Sequence, residues 1–263
     1  MEVIICPDED AVGRAAAARV AHVIASLNRP PVLGVATGSS PLAAYAALAA
    51  LVRAGRLDLT GASAFALDEY VGLPEGHPES YAEVIRKTVT EPLGLDPRRV
   101  HVPDGNAADP PAAAEAYEAA IEQAGGIDVQ LLGVGANGHI GFNEPTSSLS
   151  SRTRVKTLSA RTRADNARFF DSPEQVPHHC LTQGLGTILA SRHAVLVAQG
   201  AAKARAVAAL VEGPLSAMCP GSVLQLHRSA TVIVDEVAAA ELALADYYRE
   251  IQRNLPAWQR TEI

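Results

Sequence analysis

A glycine-rich segment, GVGANGHIGFNEP, spans residues 133–145 and follows the apolar stretch 127–132. Its His139 and Glu144 lie five positions apart. A buried strand that opens into a glycine-rich turn can present an imidazole and a carboxylate to a small substrate. A carboxylate at this distance in sequence is expected to hold the tautomer of the imidazole and to favour its charged form. We therefore predict an active-site loop, with a purely structural histidine as the alternative.

A second acidic candidate, Asp68, follows the apolar run 64–67, which has the composition of a strand. Open α/β sheets bind their ligands beyond the carboxyl ends of the strands, so a carboxylate at this point is a candidate catalytic base. The alternative is a turn or capping role, which is common for aspartate after a strand. The adjacent Glu69 should point in another direction and act as support.

The segment TGSSP at 37–41 follows the apolar run 32–36 and precedes a helical pattern. Ser40 is predicted to cap that helix, with Pro41 at its first position. Free backbone N–H groups and two hydroxyls would then lie at the positive end of a helix dipole, which suits phosphate. A plain capped turn is the alternative.

A lysine adds to the predicted anion site from a distant part of the chain. Lys203 comes shortly after the apolar run 194–198, in the expected first turn of another helix, where a cation suits a bound anion. A solvated surface lysine is the alternative. The adjacent His178 and His179 have no third ligand at recognisable spacing, so no metal site is predicted.

Short β-rich runs alternate with helix-like segments along the chain, at 3–6, 32–36, 64–67, 129–134, 194–198 and 231–234. This alternation predicts an α/β fold with a mostly parallel sheet and helices on both faces. Asp8 is expected to cap the first helix. Residues 1–263 are predicted to form a single domain, in which the less regular segment at about 145–192 could act as a mobile lid.

The composition argues against several functional classes. A formal net charge of -7 disfavours nucleic acid or an anionic membrane as a partner. Three cysteines without CxxC spacing argue against a disulfide framework or a thiolate metal site, and they favour the cytoplasm. No apolar run approaches the ~18 residues of a membrane span, and no targeting segment is expected at the N-terminus.

Longer motifs resemble the glucosamine-6-phosphate deaminases, which belong to the glucosamine/galactosamine-6-phosphate isomerase family, and the resemblance runs nearly end to end. The motifs that carry this resemblance are ALDEYVGLP at 66–74, HPESY at 77–81, the loop 133–145, SSLSSRTRVKT at 147–157, residues 166–171 and LQLH at 224–227. The resemblance implies a Rossmann-like α/β fold. It also implies conversion of glucosamine 6-phosphate to fructose 6-phosphate and ammonia, without an organic cofactor or a metal.

The resemblance also assigns roles to the residues of the catalytic centre. Asp68 matches the base that moves a proton from C2 toward C1. His139 matches the histidine that opens the pyranose ring, and Glu144 matches its carboxylate partner. Asn137 stands where many members carry aspartate, although others also have asparagine. Because an amide carries no full charge, we expect Asn137 to orient His139 by a hydrogen bond while Glu144 stabilises the imidazolium.

Two further groups of residues match the family pattern. The phosphate-binding positions are Thr37, Gly38, Ser39, Arg168 and Lys203, and Arg168 comes from the lid segment. Some members are hexamers activated by N-acetylglucosamine 6-phosphate at subunit interfaces, whereas others are monomeric and unregulated. The candidate effector residues that match this site are Ser147, Arg154, Lys156 and Thr157, and a solvated strand face is the alternative.

Three other readings of the sequence stay open. A 6-phosphogluconolactonase on a related fold would hydrolyse a lactone rather than release ammonia. A sugar-phosphate-sensing regulatory protein could have lost the acid/base residues and should carry a helix-turn-helix appendage. A galactosamine 6-phosphate deaminase would differ in its preference for one hydroxyl of the substrate.

Overall fold

The computed structural model describes residues 1–256, and its main sheet contains 7 strands. The strands of this sheet are β1 (Glu2–Cys6), β2 (Val32–Val35), β3 (Ser63–Ala66), β5 (Val100–His101), β6 (Val129–Leu132), β9 (His193–Ala198) and β10 (Ala230–Asp235). They lie in the order β1-β10-β9-β6-β2-β3-β5, and all of the strand pairs are parallel. The six predicted strands are thereby confirmed, and only β5 in this sheet was missed.

Helices lie between the strands, and the first helix begins at the capping residue that the sequence predicts. Asp8 caps α1, since its Oδ1 accepts a hydrogen bond from the backbone N–H of Ala11 at 2.7 Å. The helices are α1 (Glu9–Ala25), α2 (Leu42–Arg53), α3 (Tyr81–Ile85), α4 (Glu91–Leu93), α5 (Pro110–Gln123), α6 (Ala160–Asn166), α7 (Leu185–Leu189), α8 (Ala204–Val211) and α9 (Ala245–Arg253). No helix among residues 1–256 is long and apolar enough to cross a membrane.

The core lies on both faces of the main sheet, because its central strands are apolar in both directions. Along β9, Val195 and Val197 pack on the face covered by α1 and α2, whereas Leu196 packs on the face covered by α7 and α8. Side chains alternate across a strand, so a strand buried on both faces becomes a continuous apolar run. The predicted α/β fold with helices on both faces of a mostly parallel sheet is confirmed.

A second sheet of 3 antiparallel strands was not predicted. It consists of β4 (Asp68–Tyr70), β8 (His179–Thr182) and β7 (Arg154–Thr157), in that order. The segment 145–192, expected to be less regular, therefore contains β7, α6, β8 and α7. The strands of the second sheet are short, and β7 is only partly buried. The segment therefore lacks the apolar runs that revealed the main sheet.

The predicted cap of α2 by Ser40 was wrong. The helix begins at Leu42 with Pro41 as its N-cap, and no side chain caps it. The backbone N–H of Leu42 donates to the carbonyl of Ser39 at 3.2 Å instead. This bond closes a tight turn at residues 39–42, directly before α2. The turn belongs to the segment that faces the edge of the main sheet.

Candidate active site

A cavity of about 320 Å³ opens at the carboxyl edge of the main sheet. The segments that follow β2, β3, β6 and β9 meet there, so residues far apart in sequence share one wall. The predicted site residues that line it are Thr37, Gly38, Ser39, Asp68, His139, Arg168 and Lys203. Asn137 and Glu144 are not in its lining and contact His139 and its loop from behind.

Asp68 is the buried carboxyl group of this cavity, with only 5% of its surface exposed. Burial raises its pKa to about 8, and the charge of Glu69 adds to that effect. The nearby backbone N–H of Phe142, which donates to Oγ1 of Thr182 at 3.1 Å, acts in the opposite direction. A carboxyl group with a pKa near neutrality can both accept and return a proton.

Glu69 supports the site from behind, as its position in sequence suggested. Its carboxylate accepts hydrogen bonds from the backbone N–H groups of Tyr81 at 2.9 Å and Ala82 at 2.8 Å. It therefore ties β4 to the start of α3 and does not line the cavity. Burial raises the pKa of Glu69 as well, while these donors lower it.

Gly141 lets the active-site loop cross directly above Asp68. Its φ of 55° lies in the left-handed region. A Cβ at this position would lie 3.4 Å from Oδ2 of Asp68 and 3.0 Å from Oγ1 of Thr182. A side chain at this position would crowd Oγ1 of Thr182 and touch the buried carboxyl group, so the close approach of the loop favours glycine.

His139 lies beside Glu144, with 3.8 Å between its Nδ1 and Oε1 of the carboxylate. This distance is too long for a hydrogen bond, and Nδ1 has no hydrogen-bond partner within the described chain. Burial lowers the pKa of His139; Glu144 raises it and Lys203 lowers it further. The expectation that Glu144 favours the charged imidazole is correct in sign but outweighed, because desolvation is the larger effect.

Asn137 connects the loop to the carboxylate. Its Nδ2 donates to Oε2 of Glu144 at 2.7 Å, while its Oδ1 accepts from the backbone N–H of His139 at 3.2 Å. Asn137 therefore holds the histidine through its backbone and through Glu144, not through a bond to the ring.

Two hydroxyl groups that the sequence did not single out also contact Glu144. Thr162 and Ser159 donate to its Oε1, the latter at 3.4 Å. Nothing in the local pattern distinguishes these two residues from other polar residues of the segment, so only the fold reveals them.

The cavity also has a cationic end, which Lys203, Arg168 and the turn 37–39 line. Thr37, Gly38 and Ser39 form the turn before α2, and Lys203 ends a 3-10 turn just before α8. The ammonium group of Lys203 donates to the carbonyl of Val134 at 2.8 Å, and burial lowers its pKa. Two cations and a helix N-terminus at one end of a cavity suit a dianionic group.

Arg168, the second of these cations, comes from the 3-10 turn that follows α6. Its guanidinium lies 4.7 Å from the centre of the Phe169 ring, a cation–π arrangement that limits where the side chain can point.

The candidate effector residues lie outside the cavity, on β7 and in the loop before it. Oγ of Ser147 and Nη2 of Arg154 are buried without a hydrogen-bond partner in the described part of the chain. Burial lowers the pKa of Arg154. Across β8, Thr182 pairs with Arg154 on one side and with Asp68 on the other. The small sheet therefore places Arg154, Thr182 and Asp68 side by side on neighbouring strands, and it connects the candidate effector residues of β7 with the cavity.

Comparison with known proteins gives consistent similarities. The family model of glucosamine-6-phosphate isomerases/6-phosphogluconolactonase matches residues 7–234. A glucosamine-6-phosphate deaminase of Cutibacterium acnes is 64% identical over 95% of both chains. The deaminase of Streptomyces coelicolor is 59% identical over 98% of this chain and 99% of its own.

Solved structures show the same relation. A monomeric glucosamine-6-phosphate deaminase superposes with a TM-score of 0.88 at 40% identity, covering 92% of this chain and all of that one (100%). The 6-phosphogluconolactonase from Trypanosoma cruzi gives a TM-score of 0.72 at 20% identity, over 92% of this chain and 97% of that one. The second similarity shows a shared fold alone.

Proposed function

Because this chain belongs to the family of glucosamine-6-phosphate isomerases and 6-phosphogluconolactonases, we infer its reaction from the relatives that share most of its sequence. It converts glucosamine 6-phosphate and water to fructose 6-phosphate and ammonia. The observation that carries this conclusion is the 55% to 64% identity, over at least 95% of the chain, to relatives named glucosamine-6-phosphate deaminase. Acid/base groups and cations that line one cavity suit this substrate.

We propose that the cationic end binds the phosphate and thereby places the sugar. The N-terminal turn of α2, Arg168 and Lys203 would supply hydrogen bonds and positive charge to the phosphate oxygens. With that end fixed, the sugar extends toward Asp68 and His139. Binding energy from the phosphate then holds the reacting carbons in place.

Ring opening is the first chemical step that we propose. His139, neutral because its pKa is lowered, accepts the proton of the O1 hydroxyl and returns a proton to the ring oxygen as the C1–O5 bond breaks. The imidazole is charged only while it carries that proton. Glu144, with its Oε1 3.8 Å from Nδ1, would stabilise this charge.

Isomerisation and loss of ammonia follow at Asp68. Its ionised form, which is the minor form at pH 7 because its pKa is about 8, removes the C2 proton to give an enolamine, and a proton then returns to C1. The resulting C2 imine adds water and expels ammonia, which leaves fructose 6-phosphate. A pKa of about 8 suits a group that must take a weakly acidic carbon-bound proton and hand it back.

A substrate panel tests the reaction against its closest rival. Glucosamine 6-phosphate should give fructose 6-phosphate, whereas 6-phosphogluconolactone should be hydrolysed no faster than in buffer. Galactosamine 6-phosphate in the same panel measures the preference at C4. Lactone hydrolysis without ammonia release would overturn the proposal.

A second anion site on β7 is a further proposal, favoured by the unpartnered polar atoms there. Ser147 and Arg154, with Lys156 and Thr157, could bind a phosphorylated effector such as N-acetylglucosamine 6-phosphate. The row Asp68–Thr182–Arg154 would connect that site to the catalytic carboxyl group. A rate-versus-substrate curve that is hyperbolic and unchanged by the effector would contradict this proposal.

Assembly, domain organisation and location complete the proposal. We propose one domain, with residues at about 145–192 acting as a lid, because α6 and the turn carrying Arg168 contact the cavity. The state of assembly is either a monomer, as described for the solved relative, or a hexamer, and sedimentation equilibrium distinguishes them. A cytoplasmic location is proposed because the cysteines of the described chain are free.

A further inference from the structure

The carboxylate of Glu144 is shared between residues of the active-site loop and residues of α6. Its Oε2 accepts from Nδ2 of Asn137 at 2.7 Å. Its Oε1 accepts from the hydroxyls of Thr162 and Ser159 and lies 3.8 Å from Nδ1 of His139. Glu144 is 8% exposed and Thr162 4%, so water has little access to these bonds. The same oxygen that faces the imidazole is therefore held by hydroxyl donors.

Those donors are fixed by the start of α6. Ser159 is the N-cap of this helix, and its Oγ accepts from the backbone N–H of Thr162 at 3.1 Å. Its Oγ also lies 3.0 Å from Oγ1 of Thr162. The two hydroxyls thus lie in contact with each other beside Glu144, and their positions are set by the helix itself.

The far end of the same helix reaches the rest of the cavity. Asn166 ends α6 and donates to the hydroxyl of Tyr70 at 2.8 Å. The next turn carries Arg168, which lines the cavity at its cationic end. One short element therefore contacts Glu144 at its beginning and the proposed phosphate site at its end.

We propose that Thr162 is a positioning residue for ring opening, because its hydroxyl keeps Oε1 of Glu144 near His139 but out of hydrogen-bond contact. The role in ring opening rests on the function proposed above. A carboxylate oxygen that already accepts from a hydroxyl is a weaker partner for the imidazole. His139 then stays neutral until it accepts the substrate proton, and the carboxylate is close enough to stabilise the charge that forms.

The other charges around His139 are few and can be held constant. Asp165 on α6 raises the pKa of His139, as Glu144 does, and Lys203 lowers it. The charges of Asp165 and Lys203 do not change when Thr162 is substituted, so only the position of the Glu144 carboxylate differs. Without the hydroxyl of Thr162, Oε1 keeps only the longer contact with Ser159 at 3.4 Å, so it can approach the unpartnered Nδ1 and form a direct ion pair. An opposite charge in contact shifts a pKa by ~1–3 units, so we expect a rise of at least about one unit.

Titration of His139 by NMR in the ligand-free protein tests this proposal. Thr162→Val removes the hydroxyl at nearly constant volume, whereas Thr162→Ser keeps a hydroxyl. Thr187→Val is the matched control, because Thr187 is a buried threonine on a helix that donates to another glutamate, Glu118. The signal is assigned by its loss in His139→Gln.

The expected result is a higher His139 pKa in Thr162→Val and an unchanged pKa in Thr162→Ser and Thr187→Val. The acidic limb of kcat/KM should move up with it, which lowers kcat/KM about tenfold at a pH below both pKa values. An unchanged titration in Thr162→Val, or an equal shift in Thr162→Ser, would overturn the proposal. Thr162→Ala carries the same test if the valine prevents folding.

The titration does not depend on turnover, so the two proposals fail separately. A shifted His139 pKa in a protein that releases no ammonia would leave the contact established and remove the proposed reaction. An unshifted pKa in an active deaminase would remove the positioning role and leave the reaction.

Discussion

Replacing Asp68 with asparagine should stabilise the folded protein at neutral pH while it stops turnover. The carboxyl group is buried, and its pKa rises from 3.8 to about 8 on folding. At pH 7 it is therefore protonated in the folded chain and ionised in the unfolded chain. Its contribution to stability is fully present below 3.8 and is lost as the pH rises toward 8.

The size of the effect follows from that interval. Between 3.8 and pH 7, at ~1.4 kcal/mol per pH unit, ionisation in the unfolded state lowers the free energy of unfolding by about 4 kcal/mol. Asparagine resembles the protonated acid in shape and does not ionise, so Asp68→Asn removes this loss. Its amide keeps one oxygen that can accept a hydrogen bond.

Thermal and urea unfolding of wild type and Asp68→Asn at pH 4 and pH 7 measures the effect. The difference in free energy of unfolding, variant minus wild type, should be larger at pH 7 than at pH 4 by up to about 4 kcal/mol. Asp58→Asn, at an exposed aspartate whose pKa is lowered, should show no such gain and is the control. An Asp68→Asn variant whose difference from wild type is the same at both pH values would refute the reasoning.

Three further substitutions test other parts of the site and the fold. Lys203→Ala should raise KM for the sugar phosphate by about 10- to 100-fold in initial-rate assays, because a charge-assisted bond to phosphate is lost; an unchanged KM would exclude that contact. Gly141→Ala should lower kcat by at least about tenfold, since its Cβ would lie 3.0 Å from Oγ1 of Thr182 and shift the loop beside Asp68, and it should also lower the melting temperature, because a φ of 55° is strained for alanine; wild-type kcat would contradict the packing argument. Asp128→Ala should lower the free energy of unfolding in urea by about 3 kcal/mol. The substitution removes a fully buried carboxylate that accepts hydrogen bonds from the backbone N–H of Val32 at 2.8 Å and from two arginines, Arg29 and Arg192. A change below about 1 kcal/mol would refute its structural role.

The main sheet was readable from the sequence because burial on both faces forces long apolar runs. All residues of β6 and β10 are buried, and both strands were predicted within two residues of their ends. The second sheet could not be found in this way. The strand β4 has the sequence DEY, and its burial depends on backbone donors from α3 that no local pattern encodes.

The candidate site was predictable as a set of residues but not as an electrostatic arrangement. Asp68 and His139 were identified from their positions at strand ends, and the structure places both at one cavity. Glu144 raises the pKa of His139 as expected, but the sequence does not show the degree of burial, which lowers that pKa by more. Thr162 was missed because its contact with Glu144 depends on how α6 packs on the loop.

The measurement that tests the central claim most directly is the release of ammonia and fructose 6-phosphate from glucosamine 6-phosphate, followed together. The wild-type protein should release the two products in equal amounts. Asp68→Asn should be slower by at least about a hundredfold, although it is folded and stable. Absence of ammonia from the wild type, or an undiminished rate in Asp68→Asn, would contradict the account.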